Sequence, residues 1–353
     1  VLKQLKPDRI EDIIAVVALY RPGPMENIPS YINRKHNKEI TSYAHPILQN
    51  ILRETHGIMI YQEQVMEAAR LIAGFTLVKA DLLRRAIGKK IKSEMLELKS
   101  SFIDGSKSNN INISQAKKIF NDIEKFAGYG FNKSHAAAYA IISYQTAWFK
   151  TNYPAEFFVS FLNSEIINAS EKYSSIKSDM EKLDINLLKP DINKSLVYFS
   201  VDYSEKRKTI RSGLVNIKNI SGELAEYIVH ERESNGSYKS IIDFFSRLNP
   251  QILNKRQIEY LAMAGVFDEL KLDRASIFFS AANLLLISQN VHKEKKSNQQ
   301  RLFSNDNSEQ NFQHLFKNVN SWKKNLFYLN EFYALGFLVS GHPLEEETKY
   351  FEK

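Results

Sequence analysis

The sequence predicts a mainly α-helical protein with one small β-hairpin, and three observations support this fold class. Apolar residues recur at helical spacing from about Gln62 to Phe149. Two short alternating runs, VYFSVDY and KTIRSGLV, lie around residues 196 to 215 on either side of a charged turn, as expected for a hairpin. Two compact helical units follow, at roughly 216 to 233 and 251 to 264. A chain of 353 residues with 43% apolar composition is long enough for two or three domains, each with its own core.

Apolar stripes mark the individual helices. The spacing i, i+3, i+4, i+7 defines one buried face in the first: Val65, Ala68, Ala69 and Ile72. The same spacing recurs in a second helix: Ala116, Ile119, Phe120 and Ile123. Ser114 precedes that stripe and is a candidate N-cap. The stretch from His135 to Phe149 is apolar nearly all round, which predicts a buried helix that ends before Pro154.

The C-terminal part of the chain changes character twice. Residues from about Gln289 to Asn320 are dominated by Asn, Gln, Ser and Lys, which predicts a flexible linker. The run from Phe332 to Leu344 then resumes strand-like apolar character, which predicts the beginning of another domain.

Composition restricts the class of protein. A net charge of +8 and a pI near 9.2 favour a polyanionic partner. The absence of cysteine excludes disulfides and thiolate metal sites, and a reducing cytoplasm is the expected location. The histidines never occur at HxxxH or HxH spacing, so no transition-metal site is predicted. The opening VLKQLKPDRIED lacks the apolar core of a signal peptide and does not begin with Met, so we expect a soluble, N-terminally truncated chain without a membrane partner.

The strongest electrostatic feature is a run of basic residues without an intervening acid: Arg84, Arg85, Lys89, Lys90 and Lys92. On a helix, Arg85, Lys89 and Lys92 fall at i, i+4 and i+7 and share a face. Such a cluster can clamp a triphosphate, because guanidinium groups bind phosphate oxygens bidentately. A solvated basic face is the alternative, and the residues alone leave both interpretations open.

A glycine-containing loop, FAGYGFNKSH, leads into the predicted apolar helix. Its polar residues are Asn132, Lys133, Ser134 and His135. In a purely structural interpretation, Ser134 caps the helix and His135 covers its first turn. In a functional one, a helix N-terminus beside Lys133 suits an anion, and aromatic or imidazole rings there can stack on a base.

Two further features are weaker. In LYRPGP, Pro22 and Pro24 flank Gly23 and fix a rigid turn that holds Arg21. Two-metal catalysis needs paired acids, and Glu63 and Asp81 are the prominent candidates in the helical region. Neither has a second carboxylate at a convincing spacing, so both are predicted to pair with Arg or Lys.

Taken together, these segments resemble the alpha subunit of bacterial DNA polymerase III. The resemblance is carried, in order, by RPGP, GIMIYQEQVM, DLLRRAIGKK, FAGYGFNKSHAAAYA, YPAEF, PDIN, LVNIK, LNKRQIEYLAMAGVFD and GFLVSGHPL. It implies a helical fingers domain over residues 1–165 and a helix-hairpin-helix domain that binds DNA and the clamp over 166–285. A linker over 286–325 and the start of an OB-fold domain over 326–353 would follow.

The resemblance also implies functional roles. The catalytic aspartates and their Mg²⁺ would lie in a palm domain upstream, so no catalytic residue is expected in this chain. The incoming dNTP would contact Arg84, Arg85 and Lys89 through its triphosphate, and the nascent base pair would face Asn132, Lys133, Ser134 and His135. Other subunits of the replicase holoenzyme are implied partners.

The helix-hairpin-helix region would bind primer-template DNA through its phosphates, using Lys218, Asn219, Ser221, Gly222, Asn254, Lys255 and Arg256. The family usually has a Gly-x-Gly turn in the first hairpin, where this chain has Asn219-Ile220-Ser221. Asn tolerates left-handed backbone and Ser can cap a helix, so the turn can persist, but close phosphate approach there is in question.

Within the predicted linker, Gln299, Leu302 and Phe303 resemble the Gln-x-x-Leu-Phe peptide that docks on the sliding clamp (beta subunit). The alternative is that the Leu-Phe pair packs on the chain's own core. Two other interpretations of the whole chain stay open: a non-enzymatic helix-hairpin-helix scaffold that docks on the clamp, and the error-prone paralogue of the same polymerase.

Overall fold

The computed structural model describes residues 1–89, 92–127, 129–164, 169–203, 208–297 and 316–344. The chain divides into two compact units, Val1–Trp148 and Phe149–Lys353. Both are mainly α-helical, which confirms the predicted fold class. Among the described residues, no helix is both long and apolar enough to cross a membrane.

The first unit is entirely helical in its regular elements. Its helices are α1 (Leu2–Leu5), α2 (Ile10–Leu19), α3 (Ile28–Lys35), α4 (Gln49–Leu52), α5 (Gln62–Ala73), α6 (Leu77–Lys89), α7 (Lys92–Ser108), α8 (Ile113–Ala127) and α9 (Lys133–Asn152), the last of which continues past the end of the unit. α5 contacts α6, α7 and α8. The two predicted stripes, on α5 and α8, are buried in this contact, as expected from their spacing.

Two predictions about the helices of this unit are wrong in detail. The N-cap of α8 is Asn112, whose Oδ1 accepts the Ser114 amide at 2.8 Å, and Ser114 itself lies inside the helix. α9 ends before Pro154 as predicted, but its buried side chains are only Ala136 and Ala140 among those the structure describes. Its larger apolar side chains are about half exposed: Tyr139, Ile141, Ile142 and Tyr144. The sequence of α9 shows apolar residues on every face of the helix. It does not show which of these faces is buried, and in the structure only the narrow stripe with Ala136 and Ala140 is.

The second unit combines helices with one small sheet. Its elements are α10 (Pro154–Ser164), α11 (Ala169–Glu181), β1 (Asn186–Leu188), β2 (Ser200–Asp202), β3 (Thr209–Arg211), α12 (Gly222–Asn235), α13 (Ile241–Arg247), α14 (Lys255–Met263), α15 (Arg274–Phe279), α16 (Ala281–Ser297) and α17 (Lys324–Leu335). β2 pairs antiparallel with β3, which confirms the predicted hairpin. β1 adds a parallel strand on the other side of β3, in the order β1-β3-β2.

Two sequence expectations near the C-terminus are corrected. α16 continues to Ser297, so the first part of the predicted linker is helical. Phe332 lies in α17 and is helical, not strand-like. α17 ends at Leu335, and the residue that caps it, Gly336, has a left-handed φ of 81°. The end of this helix packs into the same core as α12 to α16, through Ala334, Leu335 and Phe337.

A buried ion pair holds α17 in that core. Arg274 Nη1 donates to Glu331 Oε2 at 3.2 Å, and both side chains are almost completely buried. The other Glu331 oxygen accepts the amides of Val339 and Ser340, each at 2.8 Å. The guanidinium also binds the Asp268 carboxylate through two nitrogens, and Asp268 pairs with Lys189 as well, so two cations balance two carboxylates.

Candidate nucleotide and nucleic-acid sites

In the first unit, sequence motifs that lie far apart in the chain meet at one loop. We call residues Tyr129–Asn132 the connecting loop, because they link α8 to α9. The loop pairs with the residues that lead into α5: the Phe131 amide donates to Ile60 O at 3.2 Å, and the Gln62 amide donates to Phe131 O at 2.9 Å. The YQEQV and GYGFNKSH motifs are therefore joined by a short parallel bridge.

Gln62 connects this loop to the arginine pair of α6. Its Nε2 donates to Gly130 O at 3.1 Å, and its Oε1 accepts from Arg84 Nη1 at 3.4 Å. Sequence reasoning did not identify Gln62. It lies in the first turn of α5 and outside that helix's apolar stripe, which marks it as facing something other than the core.

Arg84 and Arg85 share a single carboxylate. Arg84 Nη2 lies 2.7 Å from Asp81 Oδ1, and Arg85 Nε lies 2.8 Å from Asp81 Oδ2. These hydrogen bonds, Arg84's first, hold the pKa of Asp81 below its usual range. The Arg85 side chain is nevertheless 62% exposed, and Lys89 is exposed on the same helix. This local surface therefore presents three cations against one carboxylate.

The rest of the basic run falls between α6 and α7. α6, which carries Arg85 and Lys89, is described as far as Lys89, and α7 is described from Lys92 onward. Lys90 and the side chain of Lys92 lie outside the described part of the chain.

Glu63 holds the beginning of α9. Its carboxylate accepts the Lys133 amide at 3.1 and 3.0 Å and the Asn132 side-chain amide at 3.1 Å. Asn132 Oδ1 in turn accepts the His135 amide at 2.8 Å, so Asn132 caps this helix, whereas the structural interpretation assigned the cap to Ser134. The anion at this helix N-terminus is thus a carboxylate of the protein itself.

Of the neighbouring side chains, one forms an ion pair and two are exposed to solvent. Lys133 Nζ donates to Glu54 Oε2 at 2.7 Å. Ser134 and His135 are exposed. The His135 ring lies 5.4 Å from the Phe131 ring and 4.8 Å from the Tyr139 ring, so three rings form a column at the start of α9. This column presents aromatic ring edges at the start of α9, next to the connecting loop that Gln62 joins to Arg84.

The prediction that both acids pair with Arg or Lys is confirmed for Asp81, which binds Arg84 and Arg85. It is wrong for Glu63, whose partners are the Lys133 backbone amide and the Asn132 side-chain amide. Across the described ranges, no three His, Asp or Glu side chains converge as metal ligands would. The residues described here therefore do not fit a Mg²⁺ site, and both prominent acids are occupied by other partners.

In the second unit, the first hairpin precedes α12. Asn219 adopts the left-handed conformation with φ 65°, and Ser221 Oγ accepts the Leu224 amide at 3.2 Å, as the sequence suggested for these residue types. Lys218, Asn219, Ser221 and Gly222 are all exposed. Glu223 follows in the first turn of α12, which places a negative charge beside the amides that would meet a phosphate.

The second hairpin precedes α14 and is more basic. Asn254 caps the helix: its Oδ1 accepts the Gln257 amide at 3.0 Å, and Gln257 Oε1 accepts the Asn254 amide at 2.8 Å. Lys255 and Arg256 are exposed, and their amides donate no hydrogen bond within the described residues. Free first-turn amides flanked by two cations suit a phosphate. The predicted clamp peptide, Gln299 to Phe303, lies outside the described residues.

Each of the two units contains a region that matches a known family. The family described as the bacterial DNA polymerase III alpha subunit finger domain matches residues 1–110, and the helix-hairpin-helix motif matches residues 184–277. The chain therefore contains one region similar to a polymerase finger domain and one similar to a helix-hairpin-helix motif.

Relatives extend the match to the whole chain. It is 42% identical to DNA polymerase III subunit alpha of Rickettsia prowazekii, covering 100% of this chain and 32% of the relative. The proteins of the same name from Borreliella burgdorferi (43% identity) and Xylella fastidiosa (41%) match 99% of this chain over 30% and 29% of their own lengths. The resemblance to the DNA polymerase III alpha subunit is therefore confirmed, and the chain spans about a third of the length of these relatives.

Proposed function

We propose that this chain is the nucleotide- and DNA-binding segment of a DNA-directed DNA polymerase that replicates the bacterial chromosome. The observation that carries the proposal is the network in which Gln62 joins Arg84 to the connecting loop. It brings the arginine pair and the start of α9 to one place, as a site for a triphosphate attached to a base would require.

The charges in this network support triphosphate binding. Each guanidinium has five N–H donors, and the Asp81 carboxylate uses only some of those on Arg84 and Arg85. A triphosphate brings several negative charges to a surface that has three cations and one acid. The free N–H groups can then bind phosphate oxygens while Asp81 keeps both arginines in place.

The start of α9 suits the base rather than the phosphates. Glu63 already occupies the helix N-terminus, so an anion would have to displace a carboxylate there. The exposed Ser134 and His135 and the ring of Tyr139 instead present a polar and aromatic edge. In the reaction, a primer 3′-hydroxyl loses its proton and attacks the α-phosphate, the bond to the β-phosphate breaks and pyrophosphate leaves; this segment contributes positioning and charge neutralisation. The Mg²⁺ ions would be bound by acids in another part of the polymerase.

For the second unit, we propose that the two hairpins bind duplex primer-template through its phosphates, with Lys255 and Arg256 contributing most. Gln299, Leu302 and Phe303 would dock on the sliding clamp, alongside contacts of the polymerase with other replicase subunits. The exposed amides and cations at the start of α14 support the first of these roles.

Single-turnover incorporation by the full-length polymerase tests the nucleotide site. Arg84→Ala and Arg85→Ala should each weaken nucleotide use by about 1.5 to 3 kcal/mol, the range for a lost charged hydrogen bond. Primer-template affinity should change much less. Arg70→Ala is a matched control, because Arg70 is an exposed helical arginine whose salt bridge is to Glu67, one turn away on the same helix. Unchanged dNTP dependence in both arginine variants would contradict triphosphate binding and favour the alternative, that the cluster is a solvated basic face.

A further inference from the structure

Arg21, in the LYRPGP turn, contacts residues of the connecting loop other than the one that the Gln62 side chain binds. Its Nη2 donates to Tyr129 O at 2.7 Å, and its guanidinium carbon lies 4.5 Å from the centroid of the Phe131 ring. Its Nε donates to Ala18 O at 2.9 Å, near the end of α2. A single guanidinium therefore connects α2 to two residues of the loop.

Within the described residues, the partners of this charge are two carbonyl groups and one aromatic ring. A hydrogen bond from a charged donor is about twice as strong as a neutral one, and a guanidinium over a ring adds a cation–π attraction. The arrangement uses the planar shape of arginine as well as its charge, which a lysine cannot reproduce.

The turn makes a second contact with the same loop through Gly23. This residue has φ +95°, and a Cβ added to it would lie 2.5 Å from Cε1 of Tyr129. A side chain at this position would therefore collide with the Tyr129 ring as well as strain the backbone. The flanking prolines restrict the turn, so the surface that meets the loop is rigid.

The loop is consequently held by two segments of the chain, the LYRPGP turn and the start of α5. Three consecutive carbonyls accept hydrogen bonds: Tyr129 O from Arg21, Gly130 O from the Gln62 side chain, and Phe131 O from the Gln62 amide. Asn132 follows directly and is bound by Glu63. Little backbone freedom is left in the segment that precedes Ser134 and His135.

We infer that Arg21 is a positioning residue that fixes the connecting loop, and with it the start of α9, before a nucleotide binds. This inference rests on the proposed function, because its consequence for catalysis requires that the start of α9 faces the nascent base pair. Fixing the loop in advance removes an ordering cost that binding would otherwise have to supply. Loss of Arg21 should therefore weaken nucleotide use through the position of the loop.

The first test is independent of catalysis and uses hydrogen exchange in the full-length polymerase. The Phe131 amide donates to Ile60 O at 3.2 Å, so its exchange reports whether the loop stays closed on α5. Arg21→Ala should speed this exchange by about tenfold or more, the factor expected for one lost charged hydrogen bond. Arg21→Lys should recover part of the protection, and Arg70→Ala should leave it unchanged.

The second test is single-turnover incorporation by the same variants. Arg21→Ala should reduce the rate constant divided by the apparent Kd for dNTP by about tenfold or more, with primer-template affinity unchanged. If Arg21→Ala does not fold, Arg21→Lys carries both tests, with a smaller loss in each.

The inference is overturned if Phe131 exchange is unchanged, or if the loop loosens while nucleotide use stays at the wild-type level. Arg84→Ala separates this from failure of the proposed function. If Arg84→Ala impairs nucleotide use and Arg21→Ala does not, only the role of Arg21 is wrong. If neither variant affects nucleotide use, the proposed nucleotide site is wrong as well.

Discussion

Removing the two cations at the start of α14 tests the proposed DNA contact at the more basic of the two hairpins. Lys255 and Arg256 are exposed beside free first-turn amides. The Lys255 side chain is 60% exposed and lies 3.3 Å from Glu259, so phosphate must compete with a weak surface ion pair there. The Arg256 guanidinium lies 5.8 Å from the Tyr260 ring and has no carboxylate partner in the described part of the chain.

The expected magnitude follows from counterion release. Each phosphate contact contributes about −0.9 to the slope of log K against log salt, so losing two contacts should reduce the slope by about 1.8. At about 0.1 M salt this corresponds to binding that is weaker by up to about 60-fold. Competition from Glu259 makes this an upper value, with Arg256 supplying the larger part.

Fluorescence anisotropy with labelled duplexes provides the assay. The double variant Lys255→Ala/Arg256→Ala is compared with wild type between about 50 and 200 mM salt, on two duplexes of unrelated sequence. Lys182→Ala/Lys194→Ala is the control, because it removes the same charge from exposed positions outside both hairpins. Lys218→Ala should have a smaller effect, since Glu223 lies beside the first hairpin. Three outcomes would contradict the proposed phosphate contacts: an equal loss of duplex affinity in the control variant, a salt slope unchanged from wild type, or binding that differs between the two duplex sequences.

Two further predictions concern the clamp and the core of the second unit. Replacing Leu302 and Phe303 by Ala should nearly abolish clamp binding without lowering the melting temperature, because each buried side chain contributes about 1.5 to 3 kcal/mol; a peptide spanning residues 295–307 that fails to compete for the clamp would contradict docking. Glu331→Ala leaves Arg274 without one of its buried partners and should cost about 3 to 5 kcal/mol in urea denaturation. Exposed Glu269→Ala should cost almost nothing, and equal midpoints for the two variants would show that the buried pair does not anchor α17.

Much of the helical architecture could be predicted because it depends on local periodicity. Val65 and Ile72 are seven residues apart and fall on one face of an α-helix, so their burial follows from their spacing. The run around Phe332 misled for the opposite reason. Its aromatic and branched residues favour a strand locally, but Glu331 is bound by Arg274 in the core, and Gly336 ends the helix in a left-handed turn. Tertiary contacts therefore decided the structure of this segment.

The candidate site was predictable as a set of residues but not as an arrangement. The run of basic residues identifies Arg84 and Arg85 in the sequence. Asp81 was one of two candidate acids, and the sequence does not show that both arginines bind it. Gln62 and Arg21 act through contacts with residues 68 and 108 positions away, and no local pattern encodes such a distance. The exposed side of α9 shows the same limit, since composition cannot tell which surfaces a folded chain covers.

The most direct measurement of the central claim is to map where the nucleotide base lies in a ternary complex. The full-length polymerase, bound to primer-template, would be photocrosslinked to a dATP analogue that carries an azide on its base, and the labelled peptide identified by mass spectrometry. We expect labelling at the start of α9, between Asn132 and Tyr139, with the label reduced in Arg84→Ala and Arg85→Ala and retained in Arg70→Ala. Labelling confined to peptides outside Val1–Trp148 would contradict it.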